Sequence, residues 1–145
     1  MKSTLVVATF VAMVIVGTPV LVWGGDISAD AALVKRQAIA IPGLQKAAAT
    51  AARDKNAIIE VQSLAHQITV TVVNSKQNDG TSAVRFAEAS TIVSAVAKAI
   101  AAKPEFSQVV IMHVDYVKRQ GNASTVVQGI DFNKAPGGTF QLHRS

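Results

Sequence analysis

The chain has 145 residues, half of them hydrophobic, no cysteine, and a formal net charge of +5. Its length suits one domain, and the lack of cysteine excludes disulfides, thiolate nucleophiles and thiolate-ligated zinc, so stability must come from packing. The basic balance favours anionic partners such as nucleic acid, phospholipid head groups or acidic polymers, without choosing among them.

Lys2, followed by the apolar stretch Leu5 to Val16, has the layout of a secretory signal; Gly17 and Pro19 then break the helix. Ala29-Asp30-Ala31 places small residues at the positions signal peptidase accommodates, and Val22-Trp23-Gly24 is a poorer second site. We therefore expect a signal peptide over residues 1–31 and an exported protein, periplasmic or extracellular. The competing reading is an uncleaved anchor, because Leu5 to Trp23 spans 19 residues, long enough to cross a hydrocarbon core of about 30 Å. After Ala31, thirteen Lys and Arg stand against seven Asp and Glu, a net charge of +6.

Residues 32–55 form an alanine-rich segment with helical propensity, and Ile41-Pro42-Gly43 should divide it into two short helices. The α+β domain then occupies 56–145. Its clearest β signal runs from Ile58 to Val73, where Ile68, Val70 and Val72 alternate with Thr69 and Thr71. Ser63-Leu64-Ala65-His66 makes this either two strands around a short turn or one long bulged strand. Asn74 to Gly80 reads as a polar loop. Thr81 or Ser82 caps a helix to about Lys103, with Phe86, Ala89, Val93, Val96 and Ile100 on its apolar face and Arg85, Glu88, Ser94 and Lys98 on its polar one; Pro104 stops it.

Two further β runs, Gln108 to Arg119 and Thr125 to Phe132, join across Gln120-Gly121-Asn122-Ala123 as an antiparallel hairpin. In the first, Val110, Met112, Val114 and Tyr116 form the core face, and Val109, Ile111, His113, Asp115 and Val117 the other. Gln128 interrupts the apolar set of Val126, Ile130 and Phe132. Thr139 to His143 offers a short edge strand. The fold class expected is α+β in two layers, with the long helix on a sheet of three to four mainly antiparallel strands, preceded by short N-terminal helices.

Chemistry is sparse in this sequence. His66, His113 and His143 are too far apart in sequence for a metal motif, no glycine-rich loop cradles a phosphate, and no G-x-S-x-G turn presents a nucleophile. We expect no metal, no nucleotide and no other cofactor. His113 and Asp115, two apart on a strand, project to the same side and form the one pair with the layout of a base and its orienting carboxylate. Lys118, Arg119 and Lys134, with Lys103 and Arg144, would form a basic patch if the hairpin and the tail meet at one end of the sheet.

Three functions follow as expectations. The first is a non-enzymatic exported domain that binds another protein, or itself, through an exposed sheet face or edge. On that reading Val109, Ile111 and Val117 make the second face apolar unless the N-terminal helices cover it. The second is a small hydrolase using His113 and Asp115. The third is a binder of anionic polymers or membrane surfaces through the basic patch.

Overall fold

The structure is a computed structural model that describes residues 27–143. The expected signal segment up to residue 26, and Arg144, lie outside the described residues. Helix α1 (Ile27–Ala51) leads into β1 (Ile58–Leu64) and β2 (Gln67–Val73); a 3-10 turn (Lys76–Asp79) then precedes helix α2 (Ser82–Ile100). A second 3-10 turn (Pro104–Phe106) follows, and β3 (Ile111–Gln120), β4 (Ala123–Lys134) and β5 (Phe140–Leu142) complete the chain. The strands lie side by side in chain order, and only β2 and β3 run parallel. The crossover through α2 returns the chain to its starting direction, as a parallel pair requires. The molecule is therefore α+β as expected, but the sheet is mixed and has five strands among the described residues, where the expectation is three or four.

The N-terminal segment is one helix. Pro42 sits inside α1, where it removes a hydrogen bond and costs about 3 kcal/mol. Leu33 and Gln37 before it, and Leu44 and Ala48 after it, are all buried. Packing on both sides of the proline holds the helix together across the lost bond, which local propensity alone could not foresee. The expected cleavage triplet Ala29–Ala31 falls in the first turns of this helix, with its side chains exposed.

Gln37 also explains how β1 turns into β2. Ala65 occupies the left-handed region, with φ of 55°, at a cost of about 1–2 kcal/mol for a residue with a Cβ. The buried Gln37 amide donates to the carbonyls of Ala65 (2.9 Å) and Glu105 (2.8 Å), and its oxygen accepts from Ser63 Oγ (2.6 Å) and the Ala65 N–H (3.1 Å). All four bonds of the amide are made. The β3–β4 turn is simpler, since Gly121 takes the left-handed conformation, φ 57°, without steric cost.

Thr81 caps α2 by accepting from the Val84 N–H. The helix buries Ala89, Ile92, Val93, Val96 and Ile100 against Ile68, Val70 and Val72 of β2, Met112, Val114 and Tyr116 of β3, and Ile130 and Phe132 of β4. Leu44, Ala48 and Ala52 join the same core, beside Ile59 and Val61 of β1. Both helices thus lie on one face of the sheet. Among the described residues the opposite face carries no helix, and no helix is long and apolar enough to cross a membrane. Among the described residues the core draws on positions 33–140.

Two expectations about β3 change. Val109 precedes the strand and is buried in the core, and Val110 is exposed. The Val109 N–H is taken by the Phe106 carbonyl, and the N–H groups of Val110 and Ile111 both donate to the His66 carbonyl, so the regular alternation of β3 begins only at Ile111.

Candidate functional site

The strand register lays out the helix-free face as rows. Across the middle run Gln62, Thr69, His113 and Asp131, and beside them Glu60, Thr71, Asp115 and Gly129. One flanking row is apolar, with Ile58, Val73, Val117 and Val126; the other holds Leu64, Gln67, Ile111 and Asn133. The face is polar at its centre, contrary to the apolar face expected from Val109, Ile111 and Val117. Val109 has left it, and Val117 is buried.

His113 is the focus of this face. Its Nε2 lies 2.8 Å from Asp115 Oδ1 and its Nδ1 2.5 Å from Asp131 Oδ1. The spacing of β3 joins His113 to Asp115, as the sequence indicated, and the antiparallel pairing with β4 sets Asp131 directly opposite. No sequence signal marked Asp131, because the register across a hairpin decides it. Gly129 makes room for the group: a Cβ there would sit 3.1 Å from both His113 Nε2 and Asp115 Oδ1, tighter than ordinary contact. Partial burial disfavours the charged ring, but the hydrogen bonds to Asp131 and Asp115 outweigh it and raise the pKa of His113 above its ordinary 6.5. A carboxylate at each nitrogen favours the charged ring, which can donate at both.

Beside this cluster Arg119 reaches across β2 to make a two-pronged ion pair with Glu60, at 2.7 and 2.9 Å. The guanidinium holds the Glu60 carboxyl below its ordinary pKa. Val73 and Val117, on the same face between the partners' strands, are buried.

The remaining basic residues do not gather. Lys118 projects to the helix side and pairs with Asp79 at 2.6 Å, with both side chains exposed. Lys134 lies at the opposite end of the sheet, where with Lys103 it lines a cleft of about 610 Å³ between the end of α2 and the β4–β5 turn. The tail meets the start of β3, not its end, so the patch drawn from Lys118, Arg119 and Lys134 is split between two ends of the sheet. His66 and His143 are also apart from His113: His66 contacts the Gln108 carbonyl and His143 contacts Asn133. Among the described residues no group of three or more His, Asp and Glu side chains is disposed to hold a metal ion.

A second polar cluster lies on the helix side and escaped the sequence reading, which placed Arg85 and Glu88 on the solvent face of α2. Both are buried. Glu88 accepts from the Arg53 N–H (2.7 Å) and from the Tyr116 hydroxyl (2.9 Å), while Arg85 donates to Gln128 (2.7 Å) and to the carbonyls of Gln77 and Gly80. Burial and the Glu88 carboxylate push the Tyr116 phenol well up. Gln128, an interruption in the apolar pattern of β4, is the partner Arg85 needs. The signal was the spacing Arg85, Glu88, Ile92, which puts all three on one helical stripe. Arg85, Glu88 and Tyr116 are buried and bonded to these partners, and so they join α1, α2 and the sheet.

No protein-family model, curated protein or solved structure matches the chain. Its function is therefore argued from the site.

Proposed function

We propose that this chain is an exported, non-catalytic domain of the envelope or extracellular space, which binds a partner through the helix-free face of its sheet. The observation that carries the reading is the face itself. Five strands leave one side uncovered among the described residues, with a fixed charge pattern of His113, Asp115, Asp131, Glu60 and Arg119 at its centre. Such a pattern is ordered before any partner arrives, so little side-chain entropy is lost on binding. Its polarity favours a partner recognised by charge and hydrogen bonds over one recognised by apolar contact.

The hydrolase reading has less support. A general base needs a ring nitrogen free to accept a proton from a nucleophile, and both nitrogens of His113 are taken by carboxylates. The anionic-surface reading loses its single basic patch, since Arg119 and Lys118 are each paired with a carboxylate.

The test is site-directed photocrosslinking in cells that express the full chain, with the probe at Thr71 on the open face or at Thr91 on the exposed side of α2. A discrete crosslinked product from Thr71 and none from Thr91 is expected. Equal products from both positions, or none from either, would overturn the reading.

A further inference from the structure

The two edges of the sheet are unlike. β5 spans three residues, too few to template another strand. β1 spans seven, Ile58-Ile59-Glu60-Val61-Gln62-Ser63-Leu64, and among the described residues it pairs on one side only, with β2. Edge strands are ordinarily protected by charged side chains, Pro, a bulge or short length; β1 has no Lys or Pro, its one charge, Glu60, is paired with Arg119, and its pairing with β2 is regular from end to end. The large apolar side chains at its two ends, Ile58 and Leu64, are 54% and 64% exposed. Both point to the helix-free face, since they share the parity of Glu60 and Gln62. α1 lies over the opposite face, against Ile59 and Val61, and the loop that leads into β1 is tied to the turn after β2 through Asp54, which accepts from the Lys76 N–H.

We infer that β1 pairs antiparallel with the β1 of a second copy of this chain, about a two-fold axis at Val61. The strand is self-complementary in that register. Ile58 of each copy faces Leu64 of the other, so both exposed apolar side chains are covered twice over. Glu60 faces Gln62, Ile59 faces Ser63 and Val61 faces Val61. No like charges oppose each other, and Glu60 is already neutralised by Arg119 within its own chain. A register slipped by one residue would set Ile58 against the parity of the helix side, and one slipped by two would leave an apolar end unmatched. The product joins the five described strands of each copy in one continuous sheet, with α1 and α2 of both copies on one side and a doubled open face on the other. This inference concerns the edge and goes beyond the partner binding proposed for the face, so either can fail alone.

The test uses the full chain, with light scattering over a concentration series and circular dichroism to establish that each variant is folded. The unsubstituted protein is expected to be dimeric at high concentration. Ile58→Glu alone and Leu64→Lys alone should each raise the dissociation constant about tenfold or more, because each disrupts two symmetry-related cross-strand pairs. The double variant Ile58→Glu/Leu64→Lys sets opposite charges across both contacts and should restore the dimer, whereas Ile58→Glu/Leu64→Glu should remain monomeric. A protein that is monomeric throughout the series, or a dimer indifferent to the single substitutions, would overturn the inference. So would a charge-swapped double variant that fails to dimerise.

Discussion

The two faces of the sheet are built from the same strands, residue by residue in alternation, yet they use polar groups in opposite ways. On the helix side, Arg85, Glu88, Tyr116 and Gln37 are buried and satisfied, and they fix where α1 and α2 dock. On the free side, His113, Asp115, Asp131, Glu60 and Arg119 bond to one another at the surface, where they hold up little of the fold. A buried polar group is costly to orphan and so acts as a structural specification. The same types of group at a surface contribute weakly to stability and are available for recognition.

The comparison is broken if substitutions on the two faces cost alike. Leu44→Ala should cost the most, about 3 kcal/mol, because it empties a buried position that docks the C-terminal half of α1; chemical denaturation would measure it. Gln37→Ala follows at about 2 kcal/mol, since it strands the Ala65 and Glu105 carbonyls and the Ala65 N–H away from water. On the free face, Gly129→Ala should cost about 1 kcal/mol by crowding His113 and Asp115, and should also move the histidine titration toward its ordinary value. Thr71→Val should lie within about 0.5 kcal/mol of the unsubstituted protein.

The histidine adds a pH dependence with a defined sign. Its pKa is higher in the folded chain than the ordinary 6.5, so the folded state holds the proton more tightly than the unfolded one. The resulting stabilisation is complete below about 6.5 and is lost as the pH rises through the raised value. His113→Asn should remove that slope from the stability profile over the same window, leaving any dependence from other groups in place.

Much of this architecture was legible in the residues. The spacing of Ala89, Val93, Val96 and Ile100 identified α2, the alternation of Ile68, Val70 and Val72 identified β2, and Gly121 marked the hairpin. Period-2 geometry also joined His113 to Asp115. What could not be read depended on contacts distant in sequence. Pro42 reads as a helix end until Leu33, Gln37, Leu44 and Ala48 are seen buried together on both sides of it. Arg85 and Glu88 read as solvent-facing until Gln128, Tyr116 and Arg53 are brought beside them. Asp131 reads as an isolated carboxylate until the β3–β4 register sets it opposite His113. The choice of face for α1 is of the same kind: a weak alanine stripe has no preference that sequence could reveal, and packing against α2 decides it.

Whether the free face is a fixed recognition surface or a place for proton chemistry turns on the state of one ring. Nitrogen-15 NMR of His113 across a pH titration measures that state directly. The midpoint should lie above the ordinary 6.5 and return toward that value in Asp131→Asn, with both ring nitrogens protonated on its acid side. An ordinary or lowered midpoint that Asp131→Asn leaves unmoved would contradict the account and restore His113 as a base.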